Sequence, residues 1–354
     1  MMRTIKLQAL LCLFAGWTCS LYAQPLPKKP IYRSPSVSAK IDFFSSMEWN
    51  DPKNKDLRQL YFPANGVAIK TMFFLKALYD KNNFFERKNT PQAKIPKIIH
   101  QIWVGPKTPP EIFKHSQESF KRLHPDWEYK LWTDADIPSL NLHNKKFYDL
   151  STNYGEKADI MRYEILYKFG GVYADVDFMC FKPLDVLCQY DVWASIEPLD
   201  CSQGTGINNA IIGSIPGHPL LRHCIETIKD TWYTTSNLFI RVGPQHFKRS
   251  FLTFAQENND NVIAFPKSFF YPLDFRDGLT YLRGKDARKN GRKKVKTTAH
   301  ILQNKGLEKL IKPEAFAMHL WAGSWRGKKG SGPKKNKNQA RKKSAAFKQS
   351  AAAA

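Results

Sequence analysis

The sequence predicts an α/β domain: a Rossmann-type, mixed and mainly parallel sheet with helices on both faces, preceded by a small helical region. Three observations carry this. From Ile95 onward, short apolar runs of strand length alternate with stretches of helical periodicity, the alternation that crossover connections of a parallel sheet require. The pair Gly170-Gly171 separates one helix-like run from the strand-like run that follows, where a helix stop is expected. Apolar residues make up 42% and aromatics 13% of 354 residues, enough for a substantial core and too much for a disordered chain.

The elements follow in order. Arg3 and Lys6 precede an apolar run from Leu7 to Ala23 that is interrupted by Gln8, Thr18 and Ser20. This reads as an export signal or signal anchor over residues 1–23, with cleavage favoured because the run is short for a spanning helix. The expected location is therefore secreted or membrane-associated, in a Golgi-type lumen or after delivery into another cell. Residues 24–94 form a Pro/Lys/Ser-rich linker and a small helical region. In that region Ile69, Met72, Phe73, Leu75, Ala77 and Leu78 repeat with helical spacing.

Ile98 to Val104 is an apolar strand closed by Gly105-Pro106. Ile112 to Leu123 reads as a helix, Trp127 to Trp132 as a second strand and Glu156 to Phe169 as a second helix. Gly171 to Phe178 is the third strand. In such sheets ligands bind beyond the carboxyl ends of the strands, where Trp103 and Asp177 fall.

Charge is unevenly placed. The chain carries +24, of which +16 lies in two stretches, Arg283 to Lys296 and residues 327–354. The second reads as a basic disordered tail. Such stretches can attract polyanions, including an anionic membrane surface, or simply keep the protein solvated. No specific nucleic-acid partner is expected, because aromatics for base stacking are missing from both apart from Phe347. Of six cysteines, Cys180, Cys188, Cys201 and Cys224 crowd into the middle of the chain without paired CxxC spacing. A zinc site is not indicated, and disulfides and buried thiols are both open.

The chemistry concentrates in Val172-Tyr173-Ala174-Asp175-Val176-Asp177. Strand periodicity puts Tyr173, Asp175 and Asp177 on one face. Two carboxylates there are costly to bury together unless a cation compensates, and a divalent ion does so while leaving positions for diphosphate oxygens. An isolated Asp-X-Asp is more often a pair of exposed acids. A haloacid-dehalogenase-type phosphatase also places Asp-X-Asp after an apolar strand, but its usual Thr or Val is replaced here by Phe178-Met179. Asp159 and Arg162, three apart on one helix face, read by themselves as a local salt bridge.

Four blocks occur in order: Ile95 to Trp103, Lys157 to Tyr163, Gly170 to Asp177, and His319 to Trp325. Together they resemble glycosyltransferase family 32, the DXD sugar-binding group that includes initiating α-1,6-mannosyltransferases and is related to the clostridial glucosylating toxins. The resemblance spans residues 95–326. It implies a GT-A-like catalytic domain, a nucleotide-sugar donor (UDP- or GDP-linked), a glycan or protein acceptor, Mn²⁺ or Mg²⁺, and retention of anomeric configuration. It also implies roles. Trp103 would stack on the base, Asp159 and Arg162 would hold donor hydroxyls, and Tyr173 would border the pocket. Asp175 would touch ribose and sugar. Asp177 and His319 would ligate the metal, and Ser324 and Trp325 would contact its water or the diphosphate. Asn208 and Asn209 would line the donor side. Asp175, Asp177 and Arg162 are thus the expected catalytic groups. A non-enzymatic polyanion-binding protein and, less favoured, a glycoside hydrolase stay open. A hydrolase needs carboxylates on opposed sides of the bond, which two residues on one strand face do not provide.

Overall fold

The computed structural model describes residues 41–55, 66–83, 85, 92–199, 205–275 and 310–324. The expected signal, both Lys/Arg-rich stretches, Cys201 and Trp325 lie outside these residues. Labels below run in chain order: α1 Phe43–Ser46, α2 Gly66–Asn82, β1 Ile98–Ile102, α3 Glu111–Leu123, β2 Glu128–Trp132, α4 Tyr154–Phe169, β3 Gly171–Ala174, β4 Phe178–Cys180, β5 Val192–Ile196, β6 Ile207–Ser214, α5 Leu238–Arg241, α6 Pro244–Glu257, β7 Val262–Phe265 and β8 Ala317–His319.

Six strands form one sheet in the order β2-β1-β3-β6-β5-β7. Pairs β1–β2, β1–β3 and β5–β7 are parallel. Strand β6 runs against both its neighbours. The result is the mixed, mainly parallel sheet that the sequence predicts. Its helices cover both faces. Gln101 donates to Ser116 Oγ of α3 at 2.9 Å, while the ring of His100 lies 6.4 Å from that of Phe169 at the end of α4. Adjacent residues of a strand point to opposite faces, so α3 and α4 sit on opposite sides of β1.

The turn from α4 into β3 shows why the Gly pair is needed. Gly170 caps α4 with φ +65° and Gly171 follows at φ +93°, conformations that disfavour any residue with a Cβ. A Cβ on Gly170 would approach Pro216 to 2.7 Å, and one on Gly171 would approach the Ile98 carbonyl to 2.6 Å. His100 locks the turn. Its Nε2 bonds the Gly170 carbonyl at 2.8 Å and its Nδ1 accepts from Trp132 Nε1 at 3.1 Å. Burial pushes the ring down to about 4, so it is neutral with its proton on Nε2.

One expectation is corrected. The third strand does not run to Phe178: β3 ends at Ala174, and β4 begins in a separate two-stranded sheet with β8. Asp175 and Asp177 therefore share a side through a turn, closed by Phe178 N donating to the Asp175 carbonyl at 3.2 Å, and not through strand alternation. Of the two readings left open for the cysteines, buried thiols hold for Cys180, Cys188 and Cys224, and burial pushes each up to about 12. The helical region is not peripheral either. At the end of α2, Asn82 Nδ2 donates to the Val262 carbonyl of β7 at 3.1 Å, and Tyr190 donates to the Asn82 carbonyl at 2.7 Å.

The fold makes one demand that can be measured directly. Trp193 of β5 is fully buried opposite Gly213 of β6, and a Cβ at Gly213 would meet the indole Nε1 at 2.1 Å. Gly213→Ala should destabilise the protein by about 1–3 kcal/mol through overpacking. A shifted denaturant midpoint at constant slope would show it, and an unshifted midpoint would refute it.

Candidate active site

A cleft of about 710 Å³ opens along the carboxyl edge of the sheet. It is lined by Trp103, Asp159, Arg162, Tyr173, Asp175, Asp177, Asn208, Asn209, His319 and Ser324. Every sequence-predicted site residue within the described chain thus meets in one place, although they come from β1, α4, β3, β6, β8 and the turns that follow.

Arg162 is the hub. It is 4% exposed. Its Nη2 lies 3.0 Å from Asp159 Oδ1 and 3.3 Å from Asp175 Oδ1. Its Nη1 donates to the Asn209 carbonyl at 2.7 Å, and its guanidinium lies 4.5 Å above the Tyr173 ring. Asp159 and Arg162 are therefore not an exposed local bridge. They belong to a buried network whose partners come from three elements, where breaking one member leaves a charge without compensation. Burial pushes Asp159 up to about 7 against the pull of Arg162. Asn209 Nδ2 donates to Asp159 Oδ1 at 2.8 Å and to Tyr163 Oη at 2.9 Å. Tyr173 donates to Asp175 Oδ1 at 2.6 Å.

Beside this network lies an acidic cluster with a histidine. The antiparallel register of β4 and β8 sets Phe178 opposite His319, which carries the His319 ring to the neighbouring Asp177. His319 Nε2 is 3.1 Å from Asp177 Oδ1 and 4.0 Å from Asp175 Oδ2. The Ala322 N–H donates to Asp177 Oδ2 at 2.7 Å. Ligand atoms of Asp175, Asp177 and His319 lie within 4.8 Å of one another. Two carboxylates with one imidazole form a mixed oxygen–nitrogen set of the kind that accepts a divalent ion, once drawn slightly closer together. Burial disfavours charge on all three groups. Even so, the His319 charge and the Ala322 N–H hold Asp177 below the usual carboxylate range. Burial and the Asp177 charge raise Asp175 against the pull of Arg162. His319 is raised, because Asp177 outweighs its burial. A proton on His319 thus partly neutralises the cluster where a cation would.

Trp103 follows β1. Its indole donates to the Lys107 carbonyl at 2.8 Å, and its ring stacks against Phe113 at 6.0 Å. Lys107 Nζ reaches the Ser324 carbonyl at 3.3 Å, joining the loop after β1 to the loop after β8. Trp321 adopts φ +55°, a left-handed conformation that an aromatic residue holds only when its surroundings fix it. Its indole donates to the Leu273 carbonyl at 3.0 Å.

Several lining residues escaped the sequence reading: Lys107, Glu197, Phe239, Lys267, Trp321 and the segment around Met47, Glu48 and Asn54. For Glu197 a signal existed, an acid directly after the apolar run Val192–Ile196. For Glu48 and Lys267, which pair at 2.7 Å across the fold, none did.

The chain is similar to several known proteins. Residues 110–193 match the family model described as a glycosyltransferase sugar-binding region containing a DXD motif. Inositol phosphoceramide mannosyltransferase 2 of Schizosaccharomyces pombe is 32% identical over 185 residues, 50% of each chain. Mannosyl phosphorylinositol ceramide synthase CSH1 of Saccharomyces cerevisiae is 33% identical over 183 residues, 48% of this chain and 46% of that one. The chain therefore spans about half the length of these relatives. Among solved structures, PaToxG glycosyltransferase has 19% identity and a TM-score of 0.39, covering 57% of this chain and 80% of that one.

Proton and metal should compete at the acidic cluster. His319 holds its proton above the ordinary histidine value, and an imidazole must lose that proton to ligate. Mn²⁺ affinity, measured by calorimetry, should accordingly go on rising as the pH passes above the ordinary histidine value of about 6.5. His319→Ala should weaken binding and flatten that rise. An equally steep rise in the variant would assign the proton to another group.

Proposed function

From the match of residues 110–193 to the glycosyltransferase sugar-binding region containing a DXD motif, we propose that the chain is a metal-assisted, retaining hexosyltransferase using a UDP- or GDP-linked sugar. The observation that carries the reading is the juxtaposition, in one cleft, of the Asp175–Asp177–His319 cluster with the buried Asp159–Arg162 pair. The names of the yeast relatives make mannose the first sugar to test, and a hydroxyl of a glycan, protein or glycolipid the acceptor.

In this reading Asp177, His319 and Asp175 hold Mn²⁺ or Mg²⁺. The imidazole ligand favours Mn²⁺ over an ion that prefers oxygen alone. Bound there, the ion would neutralise charge on the leaving diphosphate. Arg162 is fixed by Asp159, Asp175 and the Asn209 carbonyl, so it presents positive charge without reorganising as charge develops. Asp159 and Asp175 accept hydrogen bonds from donor hydroxyls, and Trp103 offers a flat face to the base. In the transfer itself, the bond between the anomeric carbon and the diphosphate oxygen breaks while the acceptor oxygen bonds to that carbon from the same face. The acceptor proton passes to the departing diphosphate.

The test is a screen of UDP- and GDP-sugars with Mn²⁺, GDP-mannose first, reading release of nucleoside diphosphate. Asp177→Asn should lower the rate by on the order of 10²-fold or more, the scale seen when one charge-stabilising group is removed. Full activity in folded Asp177→Asn would remove the metal role. Absence of both hydrolysis and nucleotide-sugar binding in the native protein would overturn the reading.

A further inference from the structure

The turn that carries Asp175 and Asp177 is gripped from the α3 side of the sheet. Asp175 makes the last bond to β6, its N–H donating to the Ala210 carbonyl at 2.8 Å. The next link is the peptide unit that joins Asp175 to Val176. That unit is planar, so turning its carbonyl would swing the chain leading to Asp177 and change the angle between the two carboxylates. Two donors hold the carbonyl. The Phe178 N–H closes the turn at 3.2 Å, and Gln101 Nε2 of β1 reaches the same oxygen at 3.2 Å.

Gln101 is fully buried, and each polar atom of its amide is used. Nε2 also donates to Ser116 Oγ of α3 at 2.9 Å, and Oε1 accepts from Tyr129 Oη of β2 at 2.5 Å. Tyr129 is a dependable donor. Burial pushes its hydroxyl well above the ordinary tyrosine range, and the Gln117 side chain hydrogen-bonds the same oxygen. An amide has two N–H donors on one side and a carbonyl on the other, so these partners admit one orientation. Flipped, the amide would set oxygen against the Asp175 carbonyl, acceptor against acceptor. On the same face of α3, Ser119 Oγ accepts from the Cys180 N–H at 3.0 Å. The acidic turn is thus held at both ends, at Asp175 and at Cys180.

Polar groups between a helix and a sheet are costly to bury, and Leu or Met would fill the space of Gln101 without that cost. Nor does closing the turn depend on Gln101. The Phe178 N–H closes it, and the Leu320 N–H holds the Asp177 carbonyl at 3.0 Å on the far side. What Gln101 adds is direction to a carbonyl that is already bonded once.

We infer that Gln101, oriented by Tyr129 and Ser116, is a positioning residue for the Asp175–Asp177–His319 cluster, presetting the two carboxylates to receive one divalent cation. This rests on the metal-assisted reading above and adds to it a residue that acts through the Asp175 backbone. Gln101 does not itself line the cleft.

The experiment measures Mn²⁺ affinity by calorimetry, per folded molecule, in the native protein and three variants, each checked by its melting temperature. Gln101→Met keeps the length of the side chain and removes its donors. It should weaken Mn²⁺ binding about tenfold or more, and Tyr129→Phe, which frees the amide to turn over, about threefold, the lower part of the range for groups that orient metal ligands. Gly213→Ala, loosened at the end of β6 away from the cleft, should bind as the native protein does. Donor hydrolysis gives a second readout. In Gln101→Met it should be slow at limiting Mn²⁺ and recover most of the native rate at saturating Mn²⁺, because all three ligands are still present. The inference is overturned if Gln101→Met binds Mn²⁺ within twofold of native, if Gly213→Ala loses as much affinity, or if saturating Mn²⁺ restores nothing. Should Gln101→Met not fold, Tyr129→Phe decides, and native affinity there overturns the inference. A native protein that binds no Mn²⁺ would overturn the metal reading and this inference together, so the two failures are told apart.

Discussion

The buried guanidinium of Arg162 is the constraint on which the site depends. A cation with 4% exposure is tolerable only if its donors are matched, and here the matches come from separate parts of the chain. Asp159 lies one helical turn away, Asp175 follows β3, and the Asn209 carbonyl belongs to β6. Satisfying Arg162 therefore fixes α4 against two strands at once. Because Asp159 and Asp175 are aimed by the same charge, both carboxylates are held in place at the cleft. Removing the guanidinium would leave two largely buried acids without a counter-charge, a change of several kcal/mol and not of tenths. Structure and chemistry share one interaction here, so the site cannot loosen without the fold responding.

What was legible in the sequence follows from what is local. Strand β1, helices α3 and α4 and the Gly170-Gly171 turn could be read because periodicity and glycine chemistry act over a few residues. The reading of Tyr173 to Asp177 as one continuous strand failed for a related reason. Alternation correctly placed both acids toward one side, but the chain had already left the ladder at Ala174. Only pairing with a partner strand shows where a strand ends, and β6 offers Asp175 a last bond at Ala210 before the turn.

The nonlocal half of the site lay beyond local patterns. His319 reaches Asp177 because β8 pairs with β4, and a three-residue strand 142 positions away has no pattern of its own. Its block was recognisable only by resemblance. Glu48 and Lys267 had neither pattern nor resemblance, since each acquires meaning when α1 docks beside the turn after β7. That docking is held by contacts such as the Lys267 N–H to Met47 Sδ at 3.3 Å. A segment whose neighbours read as a linker thus supplies a wall of the cleft.

The placement of charge ties these parts together. The chain as a whole is strongly basic, yet the cleft is not. Asp159, Asp175, Asp177 and Glu197 face Arg162 and His319, while most of the positive excess lies in the two Lys/Arg-rich stretches outside the described residues. A uniformly basic pocket would hold any phosphate compound, including free nucleotides and phosphorylated metabolites. A pocket with surplus carboxylates rejects a bare diphosphate and accepts one that arrives with a divalent cation, because the cation satisfies both sides. Under the proposed reading, the overall positive field would raise the local concentration of anionic donors, and the acidic cluster would favour those that carry a divalent cation. This division also explains why the acids are buried. In water their repulsion of a diphosphate would be screened to almost nothing, whereas in a cleft of low polarity it is strong enough to discriminate.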